Sequence, residues 1–276
     1  MLLIEAVILG IVRSVTEFLP LSYEGHMALF YSLTGLGPQE VAFGALFDVV
    51  VHMGMLFAVI AAIRRDLWGL IRRPLRVENA ALLVASAPVV IGVIFLREWA
   101  GILMGDVVFV VMGFLGTGFL LIYSDYVNHL DLKKNMRDLD FVDSLFMGAF
   151  QGVGLLFGMG RTGVGAAAAL FRKLNRGDAG RFVVLLTAPA ILTTIIMSIA
   201  QGGLLPGGPA LNANAALSLA FGFLSALLTG YLVINILMAL IETARLRYIA
   251  FYLFAMAVFA GVDTFLLHGR FFGIQA

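Results

Sequence analysis

Long apolar stretches dominate the pattern of hydrophobic and polar positions along the chain. Each of six stretches is long enough, with few charges, to cross the roughly 30 Å hydrocarbon core of a bilayer as a helix. Shorter connections, rich in charge or glycine, separate them. The pattern predicts an all-α polytopic membrane protein with six transmembrane helices, over residues 41–63, 78–96, 107–124, 182–201, 213–240 and 248–267.

Two further apolar segments carry polar residues and turn formers at matching places. When the second segment is laid on the first with an offset of 138 residues, Gly10 falls on Gly148, Pro20 on Gly158 and Gly25 on Gly163. This offset is half of the 276-residue length. The sequence therefore predicts a single membrane domain, 1–276, made of repeat 1 (1–138) and repeat 2 (139–276).

The basic residues indicate how the chain is threaded. Residues 64–77, 125–140, 172–181 and 241–247 hold 14 of the 18 Lys and Arg residues, whereas the alternate connections hold only Arg97. The positive-inside rule places the four basic connections in the cytoplasm. Because both ends of segment 141–171 are then cytoplasmic, this segment is predicted to be a re-entrant helical hairpin with its turn near residues 157–163.

The first repeat has the opposite orientation in this scheme. Three spans follow each hairpin, and an odd number of spans inverts the second copy, as in inverted-repeat transporters. Residues 1–40 are then a re-entrant hairpin entering from outside, and both termini lie outside. The alternative for residues 1–40 is a complete span.

Composition narrows the class of protein further. Hydrophobic residues make up 61% of the chain and charged residues 13%, which excludes an ordinary soluble domain. The chain has no Cys, which excludes disulfides, thiol nucleophiles and thiolate metal sites. The net charge of +1 argues neither for nor against an anionic partner. We expect the bilayer and a lipid as partners, and no nucleic acid. A homodimer is one option for assembly.

The turn of the first hairpin contains Glu17, Ser22, Glu24 and His26, of which Glu17, Glu24 and His26 are the candidate catalytic groups. Charges at membrane depth are costly and usually face a cavity where they have a function. A glutamate beside a histidine can orient the imidazole for proton transfer or nucleophilic attack. In the alternative interpretation, Glu24 and His26 lie in the solvated interface while Glu17 pairs with Arg13.

The turn of the second hairpin is suited to an anion. Glycines that precede a helix start expose backbone N–H groups, and the helix dipole adds positive potential. An arginine at this point adds a bidentate clamp for phosphate. In the alternative interpretation, Arg161 pairs structurally with Glu17. The predicted phosphate-binding residues are Arg161, Thr162, Gly158, Gly160, Gly163 and Ser22.

A third polar pair lies in the first predicted span. Asp48 and His52 are four residues apart, on one face of a helix. They either line a cavity or satisfy each other.

The chain resembles the BacA-type undecaprenyl-diphosphate phosphatase family of bacterial inner membranes. The motifs that carry the resemblance are Thr16-Glu17-Phe-Leu-Pro20, Ser22, Gly25-His26, Phe47-Asp48-Val-Val with His52 and Gly54, Gly158, Arg161 and Gly163, Arg181-Phe182, and Leu185-Leu-Thr-Ala-Pro189. The resemblance implies six spans with two re-entrant hairpins. It also implies removal of the terminal phosphate of the C55 diphosphate at the outer face, so that the lipid carrier is recycled for cell-envelope and peptidoglycan synthesis. It further implies Mg²⁺ or Ca²⁺ as a cofactor.

Several positions depart from the family pattern, and Glu24 is an unusual addition to it. Arg13 stands where the family usually has a glutamate, Tyr23 and Gly160 replace serines, and Gly165 replaces a threonine. Arg13 removes one expected metal ligand and adds a cation at that place, so the metal is left unassigned. By the resemblance, His26 is the expected nucleophile, with Glu17 or Glu24 orienting it. The function expected is a polyprenyl-diphosphate phosphatase, and the lipid partner expected is a polyprenyl phosphate or diphosphate. The alternative is a non-hydrolytic carrier or flippase for polyprenyl phosphates that has lost part of the catalytic site.

Overall fold

Helices form almost all the regular structure of the computed structural model, which describes residues 3–35, 44–73, 76–126, 133–203 and 213–269. The helices are α1 (Leu3–Phe18), α2 (Tyr23–Thr34), α3 (Gly44–Ala62), α4 (Arg64–Arg72), α5 (Val77–Leu103), α6 (Val107–Tyr126), α7 (Phe141–Leu156), α8 (Arg161–Phe171), α9 (Arg176–Ser198), α10 (Ala213–Glu242) and α11 (Arg247–Leu266). A short 3₁₀ turn, Met136–Asp138, precedes α7, and the end of α9 continues as a π-helical turn, Ile199–Gly203.

Within the described ranges, six helices are long and apolar enough to cross a membrane: α3, α5, α6, α9, α10 and α11. They coincide with the six predicted spans, apart from small shifts at their ends. Large apolar side chains such as Phe95, Phe119 and Leu228 are exposed on their outer faces, as expected for helices surrounded by lipid. The chain is therefore a multi-pass helical membrane protein.

Five of the described helices are shorter than a span, namely α1, α2, α4, α7 and α8. The longest of these, α1 and α7, have 16 residues each, so they extend about 24 Å at 1.5 Å per residue. Residues 19–22 separate α1 from α2, and residues 157–160 separate α7 from α8. Since Pro20 lies in the first break, where its ring cannot continue a helix, residues 3–35 do not form one continuous span.

Glycines bring the short helices very close to two of the spans. A Cβ at Gly10 of α1 would lie 2.7 Å from the carbonyl oxygen of Gly222 in α10. A Cβ at Gly148 of α7 would lie 2.1 Å from the carbonyl oxygen of Ala85 in α5. Both distances are far below van der Waals contact, so a side chain is excluded at each glycine. Gly10 and Gly148 thus have the same packing role.

The core lies where helices from the two halves of the sequence meet. Its largest fully buried side chains include Phe18, Phe47, Phe114 and Phe182, which come from α1, α3, α6 and α9. Helix α8 lies inside this core, and every residue from Arg161 to Leu170 is buried. The start of α8 is therefore held on all sides by other helices, which fixes the position of Arg161.

Candidate active site

A buried ion pair joins the helix pair α1–α2 to the helix pair α7–α8. Nη2 of Arg161 lies 2.7 Å from both Oε1 and Oε2 of Glu17. The side chains are 8% and 1% exposed. Glu17 is the penultimate residue of α1, and Arg161 is the first residue of α8. Of the partners considered for Glu17 from sequence, the structure has Arg161, not Arg13.

Backbone contacts hold the two turns against each other. Ser22 adopts a left-handed conformation with φ of 67° and caps α2 by accepting a hydrogen bond from the backbone N–H of Gly25. Its hydroxyl also donates a short hydrogen bond to the carbonyl of Gly158. Gly158 itself has φ of 60°, a conformation that glycine adopts readily. Ser22 and Gly158 thus fix the shape of the contact between the turns.

Gly160 and Gly163 leave no space at this contact. A Cβ on Gly160 would lie 2.9 Å from backbone atoms of Pro20 and Ser22, and one on Gly163 would lie 2.7 Å from the Cβ of Pro20. The N–H of Gly160 donates to Oγ1 of Thr117 at 3.0 Å. In the structure described, these two predicted phosphate-binding glycines therefore pack the turns together, and the N–H of Gly160 already has a partner.

A small cavity of about 30 Å³ lies next to the ion pair. This volume has room for one or two water molecules. The polar side chains that line it are those of Tyr23, Glu24, His52, Arg97, Arg161 and Thr194. Thr162, the residue after Arg161, is fully buried, and its Oγ1 has no hydrogen-bond partner among the described residues.

Glu24 faces the cavities that surround the ion pair. It lines the small cavity and also an outer cavity of about 650 Å³. Its Oε2 is buried without a hydrogen-bond partner in the described part of the chain. Arg161, Glu17 and Arg97 are the charged groups that act on its carboxylate. A carboxylate oxygen with no partner beside a cation is suited to receive a proton from a bound molecule.

His26 lies in different surroundings from Glu24. Its Nδ1 is 3.0 Å from the carbonyl oxygen of Ser22, and its Nε2 is 2.9 Å from the hydroxyl of Tyr252. The imidazole stacks on the ring of Tyr252 and meets the edge of Phe114. Neither of these two cavities is lined by His26. The glutamate expected to orient this histidine is thus replaced by a backbone carbonyl and a tyrosine.

Asp48 contacts two arginines that line the outer cavity with it. Its Oδ1 lies 2.5 Å from Nη1 of Arg13, and its Oδ2 lies 3.6 Å from Nη2 of Arg97. Nδ1 of His52 donates a hydrogen bond to the backbone carbonyl of Asp48 at 2.8 Å and lies 3.5 Å from its Oδ1. Both alternatives for the Asp48–His52 pair therefore hold, since the two residues contact each other and also line the two cavities.

Sequence reasoning did not assign Arg97 or Tyr31 to the site. Tyr31 accepts a hydrogen bond from Nη2 of Arg13 at 2.8 Å, and Nη1 of Arg97 donates to the hydroxyl of Ser198 at 3.2 Å. One signal was present for Arg97, because it is the only basic residue in the alternate connections. No comparable signal marks Tyr31, which is one of seven tyrosines.

The described residues do not fit a divalent cation at this site. Mg²⁺ and Ca²⁺ need six or more oxygen ligands, usually with several from carboxylates. No group of three His, Cys, Asp or Glu residues suited to hold a metal occurs in the described ranges. Both oxygens of Glu17 contact Arg161, and Asp48 lies between two arginines. Guanidinium groups thus occupy the places beside these carboxylates.

Comparison with known proteins identifies relatives over nearly the whole chain. The family described as "Bacitracin resistance protein BacA" matches residues 6–259. A protein of Treponema denticola named "Undecaprenyl-diphosphatase" is 31% identical, over 94% of this chain and 96% of its own. "Undecaprenyl-diphosphatase 4" of Bacillus thuringiensis is 32% identical, over 92% and 95%. "Undecaprenyl-diphosphatase" of Methanobrevibacter smithii is 30% identical, over 96% and 99%. With its six spans and its buried Glu17–Arg161 pair, the chain belongs to the BacA family of membrane proteins.

Proposed function

We propose that this protein hydrolyses a polyprenyl diphosphate, of which undecaprenyl diphosphate is the expected example, to the monophosphate and inorganic phosphate in the bacterial inner membrane. The observation that carries the proposal is the buried contact between Arg161 and Glu17, which lies beside a cavity in the interior of a membrane protein. The relatives named undecaprenyl-diphosphatase support the same reaction. The product would return to cell-envelope synthesis as a lipid carrier.

The architecture proposed for this function is an inverted repeat with two re-entrant hairpins, α1–α2 and α7–α8. Two features support it. The helices of both hairpins are too short to span the bilayer, and each hairpin turn contacts the other. In addition, Gly10 and Gly148, which the 138-residue offset aligns, each pack against a span of the opposite repeat. Both turns then lie at membrane depth, where a lipid headgroup entering from one side reaches them.

Arg161 is proposed to bind the terminal phosphate. Its planar guanidinium offers parallel N–H groups that match two phosphate oxygens. Glu17 contacts only Nη2 of Arg161 and holds the group in place from the α1 side. The positive end of α8 adds to the potential at the same point. A phosphate there needs more space than the small cavity offers, so it requires side chains such as Tyr23 to move aside.

Glu24 is proposed as the general base. Its partnerless Oε2 takes a proton from a water molecule in the small cavity, and the water oxygen forms a bond to the terminal phosphorus. The bond between that phosphorus and the bridging oxygen breaks, and its electron pair leaves on the polyprenyl monophosphate. Arg161 stabilises the charge that develops on the oxygens of the terminal phosphoryl group.

Phosphate release by the purified protein in lipid nanodiscs tests the proposal. We expect the wild type to release inorganic phosphate from undecaprenyl diphosphate over many turnovers. Arg161→Ala is expected to weaken headgroup binding by about 2–5 kcal/mol, because the contact is desolvated, and Arg161→Lys by less. A matched control is Arg137→Lys, whose side chain is 77% exposed at a distant surface.

Two results would contradict this proposal. If wild-type protein binds the lipid but releases no phosphate while a relative is active under the same conditions, the protein is a lipid-phosphate carrier instead. If both Arg161 variants bind the lipid as the wild type does, Arg161 has only a structural role as the partner of Glu17.

A further inference from the structure

Two arginines, Arg13 and Arg97, line the outer cavity next to the proposed site. The cavity has a volume of about 650 Å³ and lies among α1, α2, α3, α5 and the end of α9. Arg13 is almost completely buried at 4% exposure, whereas the Arg97 side chain is 37% exposed. Burying one guanidinium beside a second one is costly unless anionic groups compensate both.

Direct ion pairs compensate this charge only in part, although the Glu24 carboxylate also lines the outer cavity. Among the described residues, Asp48 is the one carboxylate that contacts both arginines, through Oδ1 to Arg13 and Oδ2 to Arg97. The Arg13–Asp48–Arg97 cluster therefore has a net charge of +1. Arg13 also keeps unused hydrogen-bonding capacity, because its buried Nε has no partner among the residues that the structure describes.

The outer cavity is continuous with the surroundings of Arg161. Three residues, Tyr23, Glu24 and Arg97, line both the outer cavity and the small cavity at Arg161. A ligand with one anionic group at Arg161 can therefore extend a second anionic group into the outer cavity. That second group would meet Arg97 first, since it is the arginine shared by both cavities.

We propose that Arg97, supported by Arg13, binds the second phosphate group of a diphosphate headgroup, so that guanidinium groups hold the headgroup without a bridging divalent cation. This inference rests on the proposed function, in which Arg161 binds the terminal phosphate. The donor set described above does not fit Mg²⁺ or Ca²⁺, yet a diphosphate needs more positive charge than one arginine supplies. Arg97 and Arg13 supply that charge from the protein, and the result is selectivity for a diphosphate over a monophosphate.

Direct binding in the presence of EDTA tests this inference. The probes are farnesyl methylenediphosphonate, whose carbon bridge resists hydrolysis, and farnesyl monophosphate, added to the full-length protein in nanodiscs. We expect the wild type to bind the diphosphonate about tenfold or more tightly than the monophosphate without metal. In Arg97→Gln this preference should fall to about twofold or less, while monophosphate affinity stays within about twofold of wild type.

Additional variants keep the result interpretable. Arg13→Gln should also reduce the preference, but Arg13 is buried and the variant can fail to fold, so the half-exposed Arg97 carries the test. Arg137→Gln is the control for general surface charge.

An unchanged preference in Arg97→Gln, or a preference that arises only when Mg²⁺ or Ca²⁺ is added, would overturn the inference. If Arg161→Ala binds neither ligand while Arg97→Gln loses only the preference for the diphosphonate, the two phosphate sites are distinct. Failure of Arg161→Ala to weaken either ligand would instead contradict the proposed function.

Discussion

Glu24 and His26 are two residues apart on α2 but face different surroundings. Glu24 points toward Arg161 and the cavities, whereas His26 contacts Ser22 and Tyr252 on the side of α6 and α11. Residues two apart on a helix lie roughly on opposite faces, so only one of the two can face a given cavity. This difference separates a role in proton transfer from a role in packing.

We predict that Glu24→Gln lowers the turnover of polyprenyl diphosphate by about 100-fold or more, the scale of one general base. The amide keeps the shape of the side chain but does not accept a proton. His26→Ala should lower turnover by less and should mainly reduce thermal stability, because it removes contacts with Tyr252 and Phe114. Phosphate release and scanning fluorimetry on both variants measure the two effects. A larger loss of turnover in a stable His26→Ala protein would make His26 the reactive group.

Part of the site follows from local sequence and part does not. The break at Pro20 and the glycine-rich turn at 157–160 could be predicted, since they depend on residues within the turns. The partner of Arg13 could not be predicted from local sequence. Glu17 is one helical turn away, yet Arg13 binds Asp48, which is 35 residues distant. Which acid Arg13 meets is decided by the packing of α8 and α3 against α1, and no local pattern records that packing.

At the scale of the elements, the contact between the two hairpin turns leaves no free space. Gly160 is the best example, because the relatives' pattern expected from the resemblance has serine there while Pro20 and Ser22 fill the space here. The turns of this chain thus pack so closely that position 160 has no space for a side chain. The six spans could be predicted from hydropathy. The close approach of the short helices could not, because it depends on packing between residues that are distant in the sequence.

Adding a methyl group at this contact should separate the turns. We predict that Gly160→Ala lowers the free energy of unfolding by about 1–3 kcal/mol, the usual cost of overpacking, and also weakens binding of the headgroup. Gly261→Ala in α11 is the matched control, since a Cβ there meets no atom within 4 Å. Thermal unfolding and lipid binding should be measured together. Equal stability of the two variants would show that the turns are loosely packed.

A buried carboxylate anchors the start of α7 at the opposite end of the molecule. Asp143 accepts hydrogen bonds from Lys134, at 2.6 Å, and from Arg172. Burial alone would raise the pKa of Asp143, but the hydrogen bonds from Lys134 and Arg172 outweigh it and lower the pKa below its usual value. Because the pKa is lowered on folding, the stabilisation is present above about pH 4 and is lost as pH falls through the folded-state pKa.

Asp143→Asn should therefore lower the unfolding temperature at pH 7 by about 2–6 °C. The difference from wild type should begin to shrink below about pH 4 and should disappear as the pH falls through the folded-state pKa, where the wild-type carboxylate is also protonated. Unfolding curves between pH 3 and pH 7 measure this dependence. The control is Glu98→Gln, a change at an exposed carboxylate. A difference that is constant across this range would mean that packing of the side chain, not its charge, matters.

At the scale of the whole molecule, the basic connections are expected to set the orientation of the protein in the membrane. Arg72 and Arg137 lie in two of the connections expected in the cytoplasm, and both are exposed. Gln201, at the end of α9, is exposed on the side expected to face outward. The helix order then sets the orientation of both hairpins.

Because the chain has no Cys, single cysteines can report this orientation. We predict that Arg72→Cys and Arg137→Cys resist a membrane-impermeant maleimide in intact cells and react in inverted vesicles. Gln201→Cys should show the opposite pattern. Outward labelling at Arg72 or Arg137 would reverse the proposed topology and place the outer cavity on the cytoplasmic side.

The Glu17–Arg161 pair has a consequence for the timing of the reaction cycle. Before substrate arrives, the protein's own carboxylate already neutralises the guanidinium, so every incoming anion competes with an internal one that is never removed. Such competition lowers affinity for substrate and product alike. The loss of affinity matters least for a headgroup that Arg97 also binds. It matters most for a monophosphate that only Arg161 binds. After cleavage, Glu17 would regain the full interaction with Arg161 and speed departure of the remaining phosphates, which readies the site for the next lipid.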